Sequence, residues 1–91
     1  MQFTKKLRQG VKNGNITTSI RIWQKPRVKV GGHYRVEDGE IVISAIREIS
    51  FDDISEKMAR ESGFTNRADL LKTAKHGPGT KVYFIKFQFQ S

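Results

Sequence analysis

The chain has 91 residues, no cysteine and a formal net charge of +8, a length that supports one domain with a modest core. The missing cysteines exclude disulfides, zinc–thiolate sites and a thiol nucleophile, and no apolar run approaches the roughly 20 residues of a membrane span. Charge is segregated, since residues 1–36 hold nine Lys and Arg without an acid and all nine acids lie from Glu37 to Asp69; an anionic partner, phosphate-rich ones first, is expected.

The first segment carries charge without a following hydrophobic region, so it does not read as a signal peptide and the expected location is the cytoplasm. Phe3, Leu7 and Val11 recur every four residues among Lys5, Lys6, Arg8 and Lys12. That spacing predicts a helix with a narrow apolar stripe and a broad basic face. Asn13-Gly14 ends it.

From Thr17 to Trp23 the pattern changes to strict alternation, which predicts a strand. Thr18, Ile20 and Ile22 fall on one face, which is expected to be buried. Thr17, Ser19, Arg21 and Trp23 fall on the other, expected to face solvent at intervals of ~6.6 Å. Lys25, Arg27 and Lys29 continue at the same spacing around Pro26, which interrupts any ladder. A hydroxyl, a guanidinium, an indole and three further cations in sequence are chemistry suited to nucleic acid: phosphate or base contacts from Arg21, stacking on Trp23, and phosphate contacts from the loop cations.

Val28, Val30 and Gly31-Gly32 read as loop and turn, His33 to Val36 as a short strand, and Asp38-Gly39 as a hairpin turn. Glu40 to Ile49 is almost entirely β-branched or small, which predicts a long central strand buried on both faces in part. Ser50 with Asp53 three residues on forms a capping box, opening a helix whose Ile54, Met58 and Ala59 face inward. Gly63 stops it. Thr65 or Asn66 caps a further helix, about Arg67 to Lys75, with Leu70, Leu71 and Ala74 as its apolar side. Lys81 to Gln90 alternates, with Tyr83, Ile85, Phe87 and Phe89 on the buried face. The fold class is therefore α+β, a small mixed β-barrel flanked by about three short helices, in one domain over 1–91.

Other chemistry is weakly signalled. Residues 75–81 form a Gly-rich basic loop without P-loop spacing. His33 and His76 stand apart from any further ligand pattern, so neither a metal nor a cofactor is expected.

The segment Gly14-Asn15-Ile16-Thr17-Thr18-Ser19-Ile20-Arg21 resembles the opening signature of ASCH domains, Gly-x-Lys-x-x-Thr-x-Arg after a short helix. The likeness extends through Val30 to Val36, through Ile46 to Ile54, and into Val82 to Phe87, nearly the whole chain. It implies a PUA-like β-barrel and an RNA-related role. Some ASCH proteins are described as ribonucleases, and one branch as amidohydrolases acting on acetylated cytidine with a Lys, a Thr and a Glu. By position these fall on Ile16, Ser19 and a place on or beside Ser62, next to Glu61. Isoleucine takes no proton, so a base for Ser19 has to come from elsewhere, such as Lys5, Glu61 or a histidine.

Three functions follow as expectations. The first is an RNA-binding module that holds RNA or a nucleotide with Ser19, Arg21, Trp23, Lys25, Arg27 and Lys29. The second is a hydrolase on RNA or a modified nucleoside, with Ser19 in its pocket. The third is a protein-interaction domain that uses the acidic band between Glu37 and Asp69 together with the basic face.

Overall fold

The computed structural model describes residues 2–74 and 79–91. Its elements run α1 (Lys5–Lys12), β1 (Thr18–Trp23), β2 (His33–Val36), β3 (Gly39–Ile49), a 3₁₀ turn (Phe51–Asp53), α2 (Glu56–Glu61), α3 (Arg67–Ala74) and β4 (Lys81–Gln90). The four strands form one antiparallel sheet in the order β1-β4-β3-β2, curled into a half-barrel. None of the described helices is long and apolar enough to cross a membrane.

The sheet has a core on each face. Tyr83, Ile85 and Phe87 of β4 pack with Ile41 and Ile43 of β3, Val36 of β2, Val11 of α1 and Val28 of the loop after β1. On the reverse face, Val82 joins Ile20 and Ile22 of β1 with Ile54, Ala59 and Leu70 from the α2–α3 side. Strand β3 serves both cores because it carries a bulge. Ile43 pairs with Phe87 and Ala45 with Lys86, so Ser44 is the extra residue. Beyond it Ile46 opposes Ile85, and Ile49 opposes Val82 on the reverse face. An inserted residue shifts the alternation by one. This explains a central strand that reads as continuously apolar.

Local chemistry sets the helix limits. Thr4 caps α1 by accepting from the Leu7 amide at 3.4 Å, and Leu7 and Val11 are the buried positions of the expected stripe. Ser50 and Asp53 form the expected capping box, but it closes only a 3₁₀ turn. Ile54 is extended, and Ser55 caps α2 afresh by accepting from the Met58 amide. Arg67 holds this junction, donating from Nε to the Ile54 carbonyl at 3.0 Å and from Nη2 to the Phe51 carbonyl at 2.9 Å. Asn66 caps α3 through the Asp69 amide, 2.8 Å away.

The hairpin between β2 and β3 departs from the expected Asp38-Gly39 turn. Val36 pairs with Gly39, which puts Glu37 and Asp38 at the tip, with Glu37 at φ 53°. Gly39 is needed for a different reason. A Cβ there would stand 2.5 Å from the Gln90 carbonyl oxygen and from the Phe89 ring. We therefore expect Gly39→Ala to destabilise the protein by about 1–3 kcal/mol, and Glu37→Gly to be neutral or stabilising by up to about 1 kcal/mol, since an L-residue pays for positive φ. Urea denaturation of the two variants checks both signs.

Glu40 ties three strands at the open end of the sheet. Its Oε1 meets His33 Nδ1 at 2.8 Å and accepts from Gln90 Nε2 at 2.9 Å. The His33 bond, then the Gln90 bond, hold its carboxyl below the ordinary carboxylate range. A carboxyl with a depressed folded-state pKa stabilises the fold fully above its unfolded value and less as pH falls through the folded one. Stability of the wild-type chain should therefore decline more steeply between about pH 5 and about pH 3 than that of Glu40→Gln, as read from urea midpoints across that range.

Candidate nucleic-acid interface

Strand β1 brings the expected residues to one face, but that face lies against the curled sheet and the residues before α1. Ser19 opposes Ile85, and Arg21 opposes Tyr83. Ser19 retains 7% of its surface, and Arg21 and Trp23 are half-buried. The expectation of a solvent-facing row is corrected here. Thr18, Ile20 and Ile22 are buried as expected and Thr17 stays exposed, but Ser19 and Arg21 are covered in part by Phe3, and Trp23 lies against Tyr83. Alternation distinguishes two faces of a strand; it does not report that both are covered.

Arg21 organises this corner. Its Nε donates to Ser19 Oγ at 2.9 Å, and its Nη2 donates to the Gln2 carbonyl. The guanidinium carbon lies 5.0 Å from the centre of the Phe3 ring, which itself packs at 5.5 Å on Phe87. Burial lowers the pKa of the guanidinium, though arginine remains charged across the working range. A cavity of about 80 Å³ opens beside it, lined by Phe3, Leu7, Ser19, Arg21, Phe64 and Thr73 among others. Trp23 stacks obliquely on Tyr83, with ring centres 6.0 Å apart.

Lys25, Arg27 and Lys29 are not a continuation of the strand. They project from the loop between β1 and β2, and all three are exposed. The loop is held from beneath. Val28 is buried, the Lys29 amide donates to the Tyr34 hydroxyl at 3.0 Å, and Gly31 and Gly32 exchange backbone bonds with Ile43. The ion pairs among the described residues are Arg8–Glu37, Lys12–Asp38 and His33–Glu40. The three loop cations are thus left for solvent or an external anion. Their anchored backbone reduces the entropy lost when they are engaged.

The positions compared with the amidohydrolase set have structural occupations. Ile16 packs where Cβ atoms at Gly10 and Gly63 would stand 2.5 and 2.7 Å from its Cδ1, so it fills a gap that two glycines leave open. The Ser62 hydroxyl is buried and bonded to that of Thr18 at 3.0 Å. Glu61 is exposed at the end of α2. The Gly-rich loop expectation falls mainly on residues 75–78, including His76, which lie outside the described residues. Sequence reasoning missed Gln2 and Phe3 at Arg21, and Arg8 and Arg35 at a second cavity of about 300 Å³ that Gln2 and Phe3 also line. Phe3 is legible as the start of the α1 stripe. Nothing in the sequence marks the Gln2 carbonyl.

Comparison of the chain with protein-family models, with curated proteins and with solved structures finds no match.

The buried hydroxyl pair generates a test of its own. Ser62→Ala leaves the Thr18 hydroxyl buried without that partner and should cost about 1–3 kcal/mol, whereas Thr18→Val with Ser62→Ala removes both polar groups and should recover part of the loss. Denaturation of the single and double variants measures the difference.

Proposed function

We propose that this protein is an RNA-binding module of the PUA-like ASCH type, holding RNA or a nucleotide against a basic strand-and-loop face in the cytoplasm. The observation that carries the reading is the exposed set Lys25, Arg27 and Lys29 on an anchored loop, without an ion-pair partner among the described residues. This loop follows directly on the strand whose Ser19 and Arg21 line a cavity. Phosphates neutralised by such cations release condensed counterions, which supplies affinity without sequence preference. A pocketed or stacked base adds selectivity.

The arrangement at Ser19 supports holding a ligand rather than turning one over. Its Oγ accepts from Arg21 Nε, and a guanidinium takes no proton from a nucleophile. Ile16 offers no base, and Ser62 is engaged with Thr18. A hydrolase built on Ser19 would need a base to approach from the cavity side.

The test is binding of a labelled single-stranded RNA over a salt series. Replacing Lys25, Arg27 and Lys29 together by alanine should weaken binding and reduce the slope of log affinity against log salt by about 2, at about 0.7 per lost phosphate contact. Lys57→Ala on α2 should leave the slope unchanged. An unchanged slope in the triple variant sinks the assignment, and RNA shortened during the incubation moves the hydrolase reading to the front.

A further inference from the structure

Arg21 is a half-buried cation, and no carboxylate pairs with it among the described residues. Its partners are a serine hydroxyl, a backbone carbonyl and the face of a phenyl ring. Burying a cation without a counter-charge is costly, and neutral acceptors compensate it less well than an anion does. A second guanidinium nearby is under-satisfied as well. Arg8 Nε is buried without a partner, and the Arg8 charge meets Glu37 only at 3.8 Å.

Two of the three groups on Arg21 come from the short arm before α1. Gln2 supplies the carbonyl and Phe3 the ring. The same two residues line both cavities, the smaller with Ser19 and Arg21 and the wider with Arg8 and Arg35. Withdrawal of the arm would join the two spaces into one trench with three arginines along it. Thr4 is extended at φ −64°, ψ 159°, immediately before the first helical residue, so the arm can pivot there while α1 stays folded.

Resting on the RNA-binding reading, we infer that Gln2 and Phe3 occupy a pocket for one unpaired RNA nucleotide and act as its built-in competitor. The base takes the place of the Phe3 ring between Phe87 and the Arg21 guanidinium. A phosphate oxygen takes the place of the Gln2 carbonyl on Arg21 Nη2. The exchange is favourable in kind. A nucleobase presents a π-face as phenyl does, and a phosphate brings Arg21 a counter-charge where the carbonyl is an uncharged acceptor. In this arrangement the loop cations hold the strand while the arm sets whether a base enters, so affinity depends on an internal equilibrium.

The experiment uses the full chain and a short labelled oligouridylate. Phe3→Ala should bind at least roughly three-fold tighter than wild type, because the competitor's ring is gone. In the wild-type chain, saturating oligouridylate should move the Phe3 and Thr4 amide resonances toward random-coil positions and shift the Arg21 Nε–H resonance. Wild-type binding with the Phe3 and Thr4 resonances unmoved overturns the competitor, whether or not Phe3→Ala folds. Equal or weaker binding by a folded Phe3→Ala does the same while leaving the RNA-binding reading in place. If neither chain binds the oligouridylate at low salt, the pocket and that reading fall together.

Discussion

The structure depends on β4 being bonded along both edges and covered on both faces. It pairs with β1 on one side and β3 on the other, and its alternate residues enter the two separate cores. A strand in that position has no tolerance for a register slip, because a shift of one residue would exchange the contents of the cores. It places β1 and β3 directly, and β2 through β3. Helix α1 covers the Phe87 side, α2 and α3 cover the Val82 side, and the bulge at Ser44 lets β3 follow β4 while feeding both.

Covering the second face is also what makes the Arg21 corner. In a sheet with one bare face, a Ser-Arg-Trp row would be a solvated surface and Arg21 would be one charge among many. With Phe3 seated on Phe87, the same guanidinium becomes a partly desolvated cation whose field is less screened than that of the loop lysines. Two kinds of cationic site therefore stand close in sequence. Lys25, Arg27 and Lys29 are open and suited to long-range attraction of a phosphate chain. Arg21 is enclosed and suited to short-range recognition. Their difference follows from burial, since all four carry the same charge.

Much of the fold is legible in the residues. The spacing of Phe3, Leu7 and Val11, the alternation from Tyr83 to Phe89, and the turn and cap chemistry at Asn13-Gly14 and Asn66 each point to the element that forms. The departures share one cause. Asp38-Gly39 reads as a turn because glycine admits positive φ, whereas Gly39 is required by the neighbouring β4 backbone. Gly10, inside α1, leaves room for Ile16. Ser62 stands on or beside the place where the resemblance puts a Glu, and it is half of a buried hydroxyl pair with Thr18. At Gly39 and Ser62 the deciding neighbour is distant in the chain.

What the sequence by itself determined is the inventory: an α+β chain, the order of helices and strands, a basic front half separated from an acidic middle, and the residue types able to meet an anion. Local propensity and periodicity act over a few residues, so they can be read from a few residues. Only the tertiary structure decided that Ser19 and Arg21 are enclosed, that Lys25, Arg27 and Lys29 are open, and that Gln2 and Phe3 sit on Arg21. Burial at those positions arises from sheet curvature, and the Gln2 contact to Arg21 spans 19 residues of chain, so no short-range pattern encodes either.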